Sequence, residues 1–376
     1  KQARFFIFFA LSIGASIGLA FSSNLITAFI FYEMLTLVTF PLVTHDGTAE
    51  AKAAGRTYLT YLLGGSLAFM LPAIAAVYYL SGSVDFTAGG IIFRADVSHN
   101  ALLVIFLLFM FGAAKAAVMP MHRWLPKAMV APAPVSALLH AVAVVKAGVF
   151  LIAKVMIYVF GADNIEFASI LKELVMYFTA ATIVISGIMA LRSSELKKRL
   201  AYSTISNLSF MILAFAILTE SGTVAGGVHM LTHALSKITL FFIAGALTLM
   251  LGVNYIKDCD GMGRKSPVLF ACFFLCSLSL IGVPYFAGGE SKELVIAAAV
   301  TEGMNWIVYL SYGLMALSAS YLLPISYRAF CKKPSKETVY TNSYLMKAAI
   351  IGTTFLMLAF PYYEQFIVQL LGKVIV

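Results

Sequence analysis

Apolar runs of about 20 residues recur along the whole chain, too many and too long to be the buried helices of a soluble core. Within hydrocarbon, backbone N–H and C=O groups must find partners inside the protein, so such runs are expected as helices. Eleven are recognised: residues 5–21, 24–44, 56–81, 99–119, 134–160, 166–191, 200–219, 223–251, 267–300, 303–330 and 345–371. Composition agrees: 61% of residues are hydrophobic and 11% charged, against roughly 45–50% and 25% in soluble domains. The expected fold is all-α, a polytopic membrane helix bundle in which these runs are eleven spans.

A net charge of +9 is explained by where the charges fall, and it is no nucleic-acid footprint. With alternating spans, 18 of the 26 basic residues lie on the side that receives the N-terminus and the loops after even-numbered spans; the other side holds four, Arg94, Lys154, Lys172 and Lys373. The positive-inside rule makes the richer side cytoplasmic. Four lysines are claimed by neither side: Lys115, Lys146, Lys237 and Lys292. A charge at the bilayer centre costs at least ~2.5–3.5 kcal/mol, so each is a candidate functional residue.

Potential partners are few. Glu33 sits mid-span with apolar residues on either side. It is either a protonated carboxyl held within the bundle or a carboxylate paired with one of the four lysines, and the second reading is preferred because carboxylates are scarce. Pro72 should kink its span without ending it. Pro120 and Pro126 interrupt the helix after Lys115, and broken helices at membrane depth are where transporters place ion sites. Trp124 reads as an interfacial anchor and His122 as an interfacial residue. His140 and Lys146 are about 240° apart around one helix, so they address different neighbours. Ser203, Thr204, Ser206 and Asn207 give their span a polar half able to admit water.

His229, His233 and Lys237 recur at i, i+4 and i+8, one drifting polar stripe better suited to carrying protons than to holding zinc, because no third metal ligand is evident. Gly282, Pro284, Gly288 and Gly289 interrupt residues 267–300, a second broken span or two shorter helices, with Lys292 beyond the break. Cys259, Cys272, Cys276 and Cys331 form no C-x-x-C pattern, and Cys272 and Cys276, one helical turn apart in a span, read as packing residues. No cofactor motif or Rossmann fingerprint is present. The basic loop CKKPSKETVYTNS reads as disordered or partner-binding.

The runs MHRWLPKAMVAPAPVSALLHAVAVVKAG, ELKKRLAYSTISN, HMLTHALSKITLFFIAGAL and GVPYFAGGESKEL resemble the antiporter-like subunits shared by respiratory complex I, Mrp-type Na⁺/H⁺ antiporters and energy-converting membrane-bound hydrogenases. The resemblance covers nearly the whole chain. It implies two inverted five-helix repeats, each with one broken helix, over residues 1–160 and 161–331, then a cytoplasmic loop and final span over 332–376. It also implies three further helices before Lys1, which is not a Met. By resemblance Glu33 and Lys115 are the ion pair whose opening alters the lysine's proton affinity, and Lys146 or His140 is the next relay. His229, His233 and Lys237 are then the central stripe, Lys197 the basic residue before LAYS, and Lys292 the ionisable group after the second broken helix. Lys127 and Met129 depart from the family's usual acidic residue and histidine.

The implied function is a proton-translocating, Na⁺/H⁺-exchanging or proton-only, non-redox subunit of a multi-subunit complex in the inner membrane of a prokaryote. Its partners would be other membrane subunits, with any redox cofactors held by them and none in this chain. The rival class is a stand-alone carrier of a small solute, which needs a substrate-sized polar cavity where this chain offers narrow, strung-out basic groups. A third reading is a structural membrane scaffold, in which the buried lysines would tolerate Leu.

Overall fold

The computed structural model describes residues 2–92, 98–161, 165–334 and 341–375, with side chains of 165–171 and 374–375 excepted. Lys1, Arg94 and residues 335–340 of the CKKPSKETVYTNS loop, Lys336 among them, lie outside the described residues. The described residues are helical, in the order α1 (Gln2–Ala20), α2 (Leu25–Val43), α3 (Ala49–Ser81), α4 (His99–Gly112), α5 (Trp124–Lys127), α6 (Ala133–Phe160), α7 (Ile165–Arg192), α8 (Leu196–Phe215), α9 (Glu220–Leu251), α10 (Pro267–Ile281), α11 (Ala287–Thr301), α12 (Asn305–Cys331) and α13 (Tyr344–Ile375). Local sequence sets several of the starts. Asn24 caps α2 by accepting from the Thr27 N–H at 2.7 Å, and Thr48 caps α3 through the Ala51 N–H at 3.1 Å. Each satisfies a donor that the first helical turn leaves orphaned.

Eight helices among the described residues are long and apolar enough to cross a membrane. The other three expected runs depart for identifiable reasons. α8 opens on Lys197, Lys198 and Arg199. α4 stops at Gly112, eight residues before Pro120, so the break falls earlier than the prolines indicate. Residues 267–300 divide into α10 and α11, of 15 residues each. At 1.5 Å per residue neither alone spans a hydrocarbon core of ~30 Å.

Burial is inverted relative to a water-soluble protein. Phe21 (85%) and Leu345 (86%) are exposed while Lys115 and Lys237 (0%) are among the largest fully buried side chains. Lipid on the outside and polar partners within account for both.

Two compact units divide the chain. The first comprises Lys1–Val135, Val142–Thr182 and Leu208–Thr219; the second comprises Ser136–Ala141, Ile183–Asn207 and Glu220–Val376. In the first, α3 runs through Pro72 without ending, as expected, by loosening into a π turn over Ser66–Met70. α6 is irregular where its sequence gives no warning: a π segment spans Leu138–Val142, and α-helical geometry resumes at Val144. Such bulges concentrate at functional sites.

Gly148 fixes how closely α6 approaches the break after α4. A Cβ there would fall within the backbone of Lys115 and Ala116. Gly148→Leu should therefore destabilise the purified protein by about 1–3 kcal/mol through overpacking. Gly14→Leu, with open space around its Cβ, should leave the thermal unfolding midpoint nearly unchanged.

Candidate functional site

The first unit encloses Lys115 in the short turn Ala114–Ala116 that follows α4. Its Nζ lies 3.7 Å from Oε1 of Glu33 and donates to the Tyr32 carbonyl at 2.7 Å. The same Nζ sits 3.2 Å from the centroid of the Tyr32 ring, and the Lys115 backbone N–H donates to the Tyr32 hydroxyl at 3.0 Å. Tyr32 thus holds both ends of the residue with three kinds of contact: a carbonyl, a hydroxyl and the negative face of an aromatic ring. Among the described residues, the Glu33 carboxylate oxygens accept no hydrogen bond. Its attraction to Lys115, about 4 kcal/mol at 4 Å for an effective dielectric near 20, therefore ties the protonation of the lysine to the position of the carboxylate.

Trp124 corrects an expectation. It is fully buried and not an interfacial anchor: its indole N–H donates to the Ala114 carbonyl at 2.9 Å, and its ring meets Tyr58 edge-on at 5.4 Å. The indole is a second partner for that carbonyl, which also accepts the Ala117 N–H at 3.0 Å. Lys146 is buried in α6, with its Nζ 3.4 Å from the Met211 sulfur.

In the second unit, His140 lies in the π segment, fully buried against Phe241 with ring centroids 4.7 Å apart. Among the described residues, neither of its ring nitrogens has a hydrogen-bond partner, so this imidazole is not the packed and satisfied histidine of an ordinary core. The stripe on α9 is intact. His229 shares a hydrogen bond of 2.8 Å with the Ser291 hydroxyl, Thr232 donates to the same hydroxyl at 2.9 Å, and the His229 and His233 rings lie 6.4 Å apart. Lys237 donates to the Leu200 carbonyl at 3.0 Å and to the Ser203 hydroxyl at 2.8 Å. Among the described residues no His, Cys, Asp or Glu group converges as a metal cluster.

Hydroxyls also join α9 to the second break. Ser236 and Ser279 are hydrogen-bonded at 2.9 Å, and Ser279 accepts the Gly288 N–H at 3.0 Å. Beyond the break, the buried Lys292 donates to the Leu280 and Ile281 carbonyls at 2.8 and 3.0 Å. These belong to the final turn of α10, whose dipole favours a cation. Gly282 ends that helix at φ +101°, a conformation that L side chains rarely adopt.

All four lysines singled out by charge distribution are therefore buried: Lys115, Lys146, Lys237 and Lys292. Tyr32, Ser203 and Ser291, which supply their partners or those of the histidines, were visible only as polar neighbours of those residues. In the basic turn before LAYS, Lys197 is half-buried. Arg199 is the buried residue there, donating to the carbonyls of Ser193 (3.1 and 2.8 Å), Leu191 (3.0 Å) and Tyr321 (2.9 Å). In the polar half of α8, Thr204, Ser206 and Asn207 donate to the Leu200, Ile183 and Ser203 carbonyls.

A bundle of apolar helices with broken segments and buried, carbonyl-solvated lysines defines an integral membrane protein. The chain belongs to the family NADH:quinone oxidoreductase/Mrp antiporter, TM, whose model matches residues 22–318. It is 31% identical over 345 residues to NAD(P)H-quinone oxidoreductase chain 5 of Synechocystis sp., covering 87% of this chain and 49% of that relative. It is 30% identical over 370 residues to F(420)H(2) dehydrogenase subunit L of Methanosarcina mazei, covering 89% and 54%. The chain spans about half the length of the curated relatives it matches.

Among solved structures, a chain of the Mrp complex from Dietzia sp. superposes with a TM-score of 0.88 at 21% identity, covering 97% of this chain and 76% of that one. A chain of the archaeal membrane-bound sulfane sulfur reductase gives 0.86 at 26% identity, covering 98% and 74%.

Arg199→Leu should strand three carbonyls and cost at least ~2 kcal/mol. Lys197→Gln should change stability by less than ~0.5 kcal/mol. Thermal unfolding of the purified protein checks both.

Proposed function

We propose that the chain is a proton-translocating subunit of a multi-subunit ion-pumping membrane complex, working with other membrane subunits of the kind its relatives' names describe. The observation that carries this reading is the placement of Lys115: buried, 3.7 Å from Glu33, and held on a carbonyl beside a break in its helix. An ammonium in that position has partners enough to persist, and one of them, the carboxylate, can move. When the Glu33–Lys115 pair loosens, the free energy holding the proton on the lysine changes by several kcal/mol. That is ample to switch proton uptake to release.

In the second unit the relay is assigned to His140, His229, His233, Lys237 and Lys292, with Lys197 at the basic entrance, and in the first unit to Lys115 and Lys146. Ser291, Thr232, Ser236 and Ser279 support it, because a hydroxyl donates and accepts at once. The reading includes two inverted repeats, each with one broken helix. The basic loops face the cytoplasm of a prokaryote's inner membrane, by the positive-inside rule. Redox chemistry, where the assembled complex has it, belongs to partner subunits.

Lys115→Ala and Glu33→Ala should each abolish proton pumping by the complex in sealed vesicles while leaving subunit assembly intact. Wild-type pumping by both variants would refute the mechanism. A complex that pumps normally with Leu at positions 115, 237 and 292 would make these lysines structural.

A further inference from the structure

A basic cavity on the first unit lies apart from the buried lysines. It has a volume of about 420 Å³ and is lined by Ala53, Arg56, Thr57, Thr60 and Tyr61 of α3 and by Arg123 and Lys127 at α5. Arg56 and Thr60 are one helical turn apart, as are Arg123 and Lys127, so two facing surfaces each direct a turn of polar groups into one recess. All three cations are exposed. None of the lining residues is acidic, and among the described residues no carboxylate pairs with Arg56, Arg123 or Lys127. Lys127 reaches only the Thr57 hydroxyl, at 3.4 Å. Three converging cations without a counter-charge suit a phosphate group.

What adjoins the cavity indicates the source of that phosphate. From Thr60 the same face of α3 continues through Gly64, Leu67 and Leu71, at i+4, i+7 and i+11. A Cβ at Gly64 would meet nothing within 4 Å, and Leu67 and Leu71 are about half exposed, at 49% and 45%. The strip from Thr60 to Leu71 covers ~16 Å of helix, about one leaflet of hydrocarbon. A polar recess opening onto an apolar strip of leaflet depth suits an amphiphile better than a free anion.

We infer that Arg56, Arg123 and Lys127 bind the phosphate of an anionic phospholipid whose acyl chain lies along Gly64, Leu67 and Leu71. Neither the translocation mechanism nor the buried lysines are needed for this binding.

The test is native mass spectrometry of the purified complex in phosphatidylcholine nanodiscs containing graded phosphatidylglycerol, with inorganic phosphate as competitor. A variant carrying Arg56→Gln, Arg123→Gln and Lys127→Gln should retain phosphatidylglycerol roughly a hundredfold less tightly, about fivefold per cation. Gly64→Trp should weaken lipid retention severalfold with the charges untouched. A control carrying Lys332→Gln and Lys333→Gln, exposed basic residues elsewhere, should behave as wild type. Equal lipid retention by the triple variant and the control would overturn the assignment. So would phosphate competition that Gly64→Trp leaves unaffected, which would give the cavity to a soluble anion. Loss of a co-purifying subunit at unchanged lipid retention would also overturn it, by assigning the surface to a protein partner.

Discussion

The structure depends on solvating lysine ammonium groups without water-exposed surface. A lysine removed from water needs acceptors, and a backbone carbonyl can supply one either at a helix end or through the second lone pair it keeps within a helix. Lys292 takes the last carbonyls of α10 at 2.8 and 3.0 Å, and Lys115 sits where α4 has stopped, borrowing the Tyr32 carbonyl at 2.7 Å. Lys237 takes the Leu200 carbonyl together with a serine hydroxyl. Breaking a helix at membrane depth frees backbone groups, and at the end of α10 the buried Lys292 satisfies two of them.

Close packing follows from the same need. Gly148 lets α6 lie against the turn that carries Lys115, and Gly288 lets α11 approach the end of α10, where a Cβ would overlap the Ser279 carbonyl. Tyr32 has no ionisable role in this arrangement, yet it touches Lys115 through its carbonyl, hydroxyl and ring. It leaves Glu33, the adjacent residue, as the partner most easily displaced. A bidentate or multiply hydrogen-bonded carboxylate would lock the lysine; one at 3.7 Å that accepts no hydrogen bond among the described residues holds it loosely.

Much of this was readable from residue types. Counting loop charges isolated the four lysines that no loop claims, and all four are buried. The His229–Lys237 spacing placed one stripe on one helix, and the glycines of residues 282–289 marked the second break. Four features left no local signal. The π segment around His140 contains neither Gly nor Pro, so its irregularity arises from packing. α4 ends at Gly112, well ahead of the prolines that mark its end in the sequence. Trp124 beside charged residues looks interfacial, and only its hydrogen bond to Ala114 shows why it is inside. Arg199 was hidden among three consecutive basic residues, where only burial separates one from the others.

Whether the proton on Lys115 responds to Glu33 is the point on which everything else turns. The direct measurement is nitrogen solid-state NMR of the membrane-embedded complex, following the Lys115 Nζ resonance across pH in wild type and in Glu33→Gln, with the signal assigned by its loss in Lys115→Met. At the observed separation, removing the carboxylate charge should displace the titration midpoint by more than about one pH unit. Coincident titration curves for the two proteins would contradict the mechanism.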